Sequence, residues 1–397
     1  MHKNSNAAFW LVGYSLMILM AGTNIPSPLY SVYQHQMGFS SGIISLIFAV
    51  YALVLIPSLL VFGQLSDRFG RKKVLLIGLV IAAAGSATFV FATNLVWLFV
   101  ARGLQGLAAG MMSGTATAAL VELRPDHRKT ASLVATIATA GGSGVGPLLG
   151  GILAQYAPSP LVLPYIVHII LFIPGFIAIL IMSETIKSKS SGSWRLQRPS
   201  VPSTIRMPFI MGAVTSFAAW SVMALFMSLL PSYISSLMGI HNLAVTGGVV
   251  FLVFVASAIM QFTLKNLAFQ TSMISGLSLL IIGLTGVLFA VPIQSVLLLM
   301  ISAIITGLGQ GLSFMGSMAL VNEVVPESRR GDVVSSLYVI IYTGVGLPVI
   351  GIGFIAEWIG LYGAIFIFAV FIAVLVILMA VLIPTKMKQE MTANSMT

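Results

Sequence analysis

Gly63-Gln64-Leu65-Ser66-Asp67-Arg68-Phe69-Gly70-Arg71-Lys72-Lys73 is the stretch that decides the fold. It is densely charged and lies between two apolar runs, residues 42–62 and 74–93. The chain around it is 58% hydrophobic and only 7% charged. A soluble domain carries roughly 25% charged residues, so this composition cannot clothe a water-facing surface, and lipid must supply much of the solvent. The stretch therefore reads as a polar loop at a membrane face.

Working outward, apolar runs of about 20 residues, enough for a helix to cross hydrocarbon, recur along the whole length. They are continuous rather than alternating, which favours helices over a barrel. The expected spans are 8–30, 42–62, 74–93, 95–121, 131–156, 163–182, 208–233, 244–264, 271–291, 295–322, 333–355 and 362–383. The fold class is thus an all-α integral membrane protein with twelve crossings. Its beginning, one Lys followed by an apolar run, has the look of a secretory signal, but with eleven further spans it is read as an uncleaved first helix. The polar segment between spans six and seven marks a division into residues 1–183, a basic linker 184–207, and 208–397.

The cations follow one rule. Lys3, Arg68, Arg71, Lys72, Lys73, Arg124, Arg128, Lys129, Lys187, Lys189, Arg195, Arg198, Arg206, Lys265, Arg329, Arg330, Lys386 and Lys388 all fall on one side of the twelve-span layout. They are all but one of the 19 Lys and Arg. The positive-inside rule places that side, with both termini, in the cytoplasm. The formal charge of +10 is accounted for by topology, and no nucleic-acid partner is needed. The linker serves as a flexible connector or, being basic, as a site for anionic headgroups. There is no cysteine, so disulfide and thiolate chemistry are excluded.

The two halves repeat. Gly106 aligns with Gly307, Gly110 with Gly311, Glu122 with Glu323, Pro125 with Pro326, Arg128 with Arg329, Pro147 with Pro348 and Gly150 with Gly351. In a chain so poor in charge, matched Glu, Pro and Arg are hard to obtain by chance. Two similarly oriented six-helix bundles are expected, facing each other across a cavity. The repeat fails where the first half keeps charges and glycines: Asp67, Arg71, Arg102, Gly142 and Gly146 fall on Ala268, Ser272, Ala303, Thr343 and Leu347.

At Gly63, Asp67, Arg68, Gly70, Arg71 and Lys72 the charged stretch resembles the loop between helices two and three of the major facilitator superfamily, G-x-x-x-D-R-x-G-R-[RK]. Span count, repeat length and linker position extend the resemblance over the whole chain. The superfamily is itself the general example of parallel repeats that rock about a midplane site. The resemblance implies a latch on the inner face: Asp67 at the N-terminal end of helix eleven near Val333, where an anion is favoured, and Arg71 reaching Glu122. Topology alone would explain Lys72 and Lys73, but not Asp67, Gly63 and Gly70 at fixed spacing.

Two further motifs carry the resemblance. Arg102-Gly103-Leu104-Gln105-Gly106 is similar to the R-G-x-x-Q-G motif of proton-driven facilitators, where the arginine is linked to proton coupling or solute binding. Arg102 is the one cation inside a span, a costly placement and a functional-site hypothesis by default; snorkelling to the interface is the plain alternative. Gly142, Gly146, Pro147, Gly150 and Gly151 resemble the antiporter motif G-x-x-x-G-P-x-x-G-G of exporters, although Leu133 stands where the pattern has a further glycine. Its stripe of glycines also suits ordinary close packing.

No acid lies well inside a span: Glu122 and Glu323 lie at inner ends and Glu357 at an outer turn. Asn24 stands where drug exporters often carry an acid, and His168 is a candidate proton carrier or a packing residue. Pro26 and Pro28 either end the first helix or shape an outer gate. Tyr51, Trp220, Phe226, Gln261, Gln310 and Tyr342 are candidate cavity residues, and Met223 and Met227 suit an adaptable apolar pocket. The reading is a monomeric plasma-membrane exporter of small amphipathic compounds, driven by a proton gradient and needing no cofactor or metal. An importer or uniporter of a neutral metabolite, and a non-transporting sensor or lipid-handling protein, are the competing readings. No Ser/His/Asp set, His/Cys cluster or paired acid in the spans points to an enzyme.

Overall fold

The computed structural model describes residues 2–186, 200–264 and 266–394, with side chains for 6–186, 200–264, 266–327 and 329–383. Lys187, Lys189, Arg195, Arg198 and Lys265, and with them most of the linker, lie outside the described residues. So do the side chains of Lys3, Lys386 and Lys388. No strand occurs among the described residues, in keeping with a chain whose backbone must bond internally in lipid.

Helix α1 runs His2–Asn24, and a 3-10 turn at Ser27–Leu29 joins it to α2, Tyr30–Met37. Pro26 and Pro28 remove backbone donors there and tighten the turn. The helix is redirected rather than ended, so the first crossing reaches beyond the expected limit at Tyr30. Helix α3, Ser41–Phe69, and α4, Arg71–Val90, correct the reading of the charged stretch as a loop. Residues 63–69 are the last two turns of α3, and the reversal happens at Gly70, with φ 104° and ψ 143°. That conformation suits glycine and strains any residue with a Cβ.

Helices α5, Leu95–Leu123, α6, Arg128–Tyr156, and α7, Leu163–Ile181, complete the first half. The second half contains α8, Arg206–Ser228, a short α9, Leu230–Leu237, α10, Leu243–Thr263, α11, Phe269–Ile293, and α12, Val296–Val324. Asn94 caps α5 and Ser295 caps α12 with side-chain oxygens. These N-caps fall at equivalent positions of the repeat. The last helix, α13, runs Arg330–Asn394. Its apolar part, 54 residues to Ile383, would be about 80 Å of straight helix against roughly 30 Å of hydrocarbon. Gly360, with φ 76° and ψ 164°, breaks it into the eleventh and twelfth crossings.

Within the first half α3 and α4 pack on α5, and α1 packs on α5, α6 and α7. Within the second, α11 and α10 pack on α12, and α8 packs on α12 and α13. Repeated glycines set the spacing alike in both. A Cβ on Gly106 or Gly110 would meet the carbonyl oxygens of Tyr51 or Leu55 in α3; one on Gly307 or Gly311 would meet those of Val253 or Ser257 in α10. The halves touch along two lines, α3 against α13 and α6 against α10.

Candidate functional site

Arg102 sits on α5 with 1% of its surface exposed. Its Nη1 donates to the carbonyl oxygen of Thr23 at 2.7 Å and to Gln105 Oε1 at 2.9 Å, and Nη2 reaches the carbonyl oxygen of Phe48 at 3.4 Å. The guanidinium carbon lies 4.6 Å from the ring centre of Tyr51 and 5.3 Å from that of Phe48. The side chain turns into the protein, between α1 and α3, which rules out snorkelling. Its charge is met by carbonyl dipoles and aromatic faces, with no carboxylate among its described partners and Nε left unbonded. Gln105 completes the tie by donating from Nε2 to the carbonyl oxygen of Gly22 at 2.8 Å.

Tyr51 links this group to the seam. Its ring covers Arg102 on one side, and it packs in one apolar cluster with Tyr342 of α13. Tyr342 in turn stacks near Tyr338, centres 6.4 Å apart. Asn24 folds back on its own helix, donating to the carbonyl oxygen of Met20 and to Thr23 Oγ1, both at 3.1 Å.

His168 stands apart from Arg102. Its Nε2 donates to the carbonyl oxygen of Ile18 at 2.8 Å, and its Nδ1 shares a hydrogen bond with Ser86 Oγ at 2.8 Å. The ring packs on Phe172 and fills the space above Gly22, where a Cβ would stand 2.0 Å from it. Since a carbonyl can only accept, Nε2 carries a proton, and the two bonds tie α1, α4 and α7 together.

The charged turn forms one cluster. Arg71 pairs with Asp67 one turn earlier and with Glu122 Oε1 at 3.2 Å, and its Nη1 donates to Ser66 Oγ. Asp67 is half exposed (52%). Its described ion pair is this one, not a contact near Val333. Two residues missed from the sequence join in. Glu184 Oε1 accepts from the backbone N–H of Arg71 at 2.8 Å, which places a carboxylate on the N-terminus of α4. Thr185 Oγ1 donates to Glu122 Oε2 at 2.5 Å. Arg68 is exposed, and a Cβ on Gly63 would meet nothing within 4 Å.

The glycines of α6 face two partners. A Cβ on Gly142, Gly146 or Gly150 would stand 2.2, 2.2 or 2.6 Å from the carbonyl oxygens of Met17 and Ala21 in α1 and of Ile25 just beyond its end. Gly151 meets the carbonyl oxygen of Leu243 in α10, and the carbonyl oxygen of Pro147 meets Gly247. One face of α6 is thus pressed on its own half and the next face on the other half.

Among the candidate cavity residues, Tyr51, Trp220, Gln261 and Tyr342 are half-buried, whereas Phe226 and Gln310 are buried. Phe226 belongs to the apolar core. Gln310 turns toward α10, where its Oε1 accepts from Ser257 Oγ, which accepts in turn from Gln261 Nε2. Trp220 lies edge-on to Phe314, centres 5.7 Å apart. Apolar grooves of about 280 and 310 Å³ lie between α11 and α13 and between α8 and α13, with neither lined by Arg102.

The seam between the halves is fastened at one end. Ser27 Oγ donates to the carbonyl oxygen of Met227 at 2.6 Å, and Ser232 Oγ to Gln34 Oε1 at 3.1 Å. Leu243 N–H donates to Gln155 Oε1 at 2.8 Å, and Ser40 Oγ to Glu357 Oε1 at 2.5 Å. All lie at the end opposite Arg71. Nearer the middle the halves still touch, at Gly144 against Phe254 and Gly346 against Ala49 and Ala52.

A multi-pass helical membrane protein of two repeated halves, fastened at one end of a shared seam, is built as the secondary transporters are. The family model described as Major Facilitator Superfamily matches residues 12–272 and 269–396, and the chain belongs to that superfamily. Proteins of that superfamily are transporters and not enzymes.

The quinolone resistance protein NorA of Staphylococcus aureus strain N315 is 24% identical over 254 residues, covering 62% of this chain and 64% of that protein. The match therefore spans less than two thirds of that relative. The bacillibactin exporter of Bacillus subtilis strain 168 is 31% identical over 148 residues, 35% of this chain and 37% of that protein. A bacterial homologue of the human lysosomal transporter Spinster, in an inward-facing and unoccupied conformation, superposes with a TM-score of 0.76 at 13% identity, covering 97% and 98% of the two chains. A POT family transporter in complex with 5-aminolevulinic acid gives a TM-score of 0.78 at 13% identity, covering 96% of each. At these identities the structural likeness is one of fold.

Proposed function

We propose that the chain exports small amphipathic compounds across the plasma membrane by alternating access, as a monomer, against inward proton flow. The observation that carries this reading is the setting of α6, with Gly142, Gly146 and Gly150 on α1 and Pro147 and Gly151 on α10. A helix pressed on both halves seals the seam, and a seal of that kind holds the gradient while solute is released. The names of the relatives, a quinolone resistance protein and a bacillibactin exporter, support the outward direction.

By the positive-inside rule the Arg71 end faces the cytoplasm. The fastened end then faces outward, and the described conformation is open to the cytoplasm. In the opposite state Asp67 leaves Arg71 and docks on the N-terminal end of α13, the latch that the motif implies. Solute sits near Tyr51 and Tyr342, where it feels the Arg102 charge. Few charges there suit a neutral, amphipathic or weakly cationic compound.

Everted vesicles with an imposed pH gradient test the whole reading. Uptake of an amphipathic dye should rise against its own gradient and stop when a protonophore collapses the pH difference. Concentrative uptake that survives the collapse would exclude proton coupling, and movement only down the dye gradient would indicate a uniporter.

A further inference from the structure

At the end opposite Arg71, α3 and α13 meet so closely that each presents a glycine to the other. A Cβ on Gly42 would stand 2.4 Å from Glu357 Oε1 and 2.9 Å from the Phe354 ring. A Cβ on Gly353 would stand 2.0 Å from Ser45 Oγ and 2.8 Å from the carbonyl oxygen of Ser41. Into this contact Glu357 sends its carboxylate across the seam. One oxygen accepts from Ser40 Oγ at 2.5 Å and from the backbone N–H of Gly42 at 3.2 Å. Ser40 is the N-cap of α3. The first N–H groups of a helix lack partners within it and carry the positive end of its dipole. A carboxylate from the opposite half supplies what they need.

The charge distribution makes this carboxylate unusual. Among the residues with described side chains, every other Asp and Glu lies at the Arg71 end, and so does every Lys and Arg except the buried Arg102. Glu357 is therefore the one carboxylate at its end among the described side chains, and it is committed to the seam. The neighbouring cross-seam bonds, Ser27 to Met227, Gln155 to Leu243 and Gln34 to Ser232, are between neutral groups. A charge-assisted bond is the stronger kind.

We propose that Glu357 is the clasp of the outer gate. Its bond to the N-terminal end of α3 holds the seam shut in the cytoplasm-open state and breaks once in every cycle. It is a positioning residue, since it acts on the balance of the two states and touches no solute. Helices α3 and α13 then carry an anion-to-helix-end contact at this end when the protein opens inward, as the Asp67 latch would supply at the other end when it opens outward. The clasp rests on the alternating-access reading above.

The chain has no cysteine, so introduced thiols report cleanly. Spin labels at Phe91→Cys and Ile293→Cys read the outer end, where both side chains are exposed. A second pair at His127→Cys and Leu267→Cys reads the Arg71 end. In lipid, Glu357→Ala and Glu357→Leu should raise the ratio of long to short outer distances by roughly threefold to tenfold, the loss of one partly exposed charged hydrogen bond. The inner pair should shorten in step. Glu357→Gln should shift the ratio less, because its amide oxygen still accepts from Ser40 and Gly42. Outer distances unchanged in both the Ala and Leu variants, beside an inner pair that populates two distances, would overturn the clasp alone. An inner pair held at one distance in every variant would overturn alternating access, and the clasp with it.

Discussion

Arg102 on α5 donates to the carbonyl oxygen of Thr23 on α1 at 2.7 Å, so a full charge in the membrane is answered by a backbone dipole of a neighbouring helix. Removing it would leave that oxygen and Gln105 Oε1 unmet, at about 1–3 kcal/mol for each buried group. Arg102→Ala should cut transport at least about tenfold, the effect of roughly 1.4 kcal/mol on a rate, while membrane insertion persists. Arg102→Lys should fail too, because a compact ammonium has no planar fork to reach acceptors on two other helices while lying flat on Tyr51. Dye transport in everted vesicles, set against the amount of inserted protein, checks both; wild-type rates in either variant would refute the role.

The acidic ring around Arg71 separates cycling from binding. Asp67→Asn should slow turnover severalfold with little change in solute affinity, since Asp67 lies far from Tyr51 and Tyr342. Equilibrium dye binding and initial rates on the same preparation make the comparison. A normal rate would remove the latch from the scheme.

Glu184 should behave as a support for that ring. Glu184→Ala removes the carboxylate from the N-terminus of α4, a contact of about 0.5–2 kcal/mol in comparable capping positions. The melting temperature should fall slightly, and the rate should fall less than in Asp67→Asn. A Glu184 variant slower than the Asp67 variant would reverse the assignment.

Space alone predicts an ordered series on α6. Gly146→Ala would put a Cβ 2.2 Å from the Ala21 carbonyl oxygen, whereas Gly141→Ala meets nothing within 4 Å. The first should lower the melting temperature and abolish transport; the second, on the same helix, should leave both near wild type. Equal behaviour of the two would mean that the contact with α1 does not set the spacing.

His168 has both ring nitrogens bonded within the first half, so it should not set the pH dependence of transport. His168→Gln should lower thermal stability through lost packing against Gly22 and Phe172, and leave the shape of the rate-versus-pH curve unchanged. A displaced curve would return the histidine to the list of proton carriers.

The spans, the repeat and the glycine positions were legible because each is a property of residue type: apolarity over a fixed length, a missing Cβ, a scarce charge. The partners of Arg102 were not, because two of them are carbonyl oxygens and every residue carries one. Glu184 and Thr185 were missed because they lie just past the sixth span, with their partners Arg71 and Glu122 113 and 63 residues earlier in the chain. Glu357 was visible as an acid at an outer turn, but only the approach of α13 to α3 gives it a helix end to cap. The charged stretch itself was misjudged as a loop. Charge normally marks a departure from the hydrocarbon, whereas α3 simply continues beyond the apolar run until Gly70 allows the reversal.

The fit of α6 against α1 bears on how a greasy cargo could board. Over three turns the two backbones leave no space for even a methyl group at Gly142, Gly146 or Gly150. That wall is closed to the bilayer along its middle. A compound dissolved among the acyl chains is barred from slipping in sideways there, and any doorway from the lipid must open between other helices.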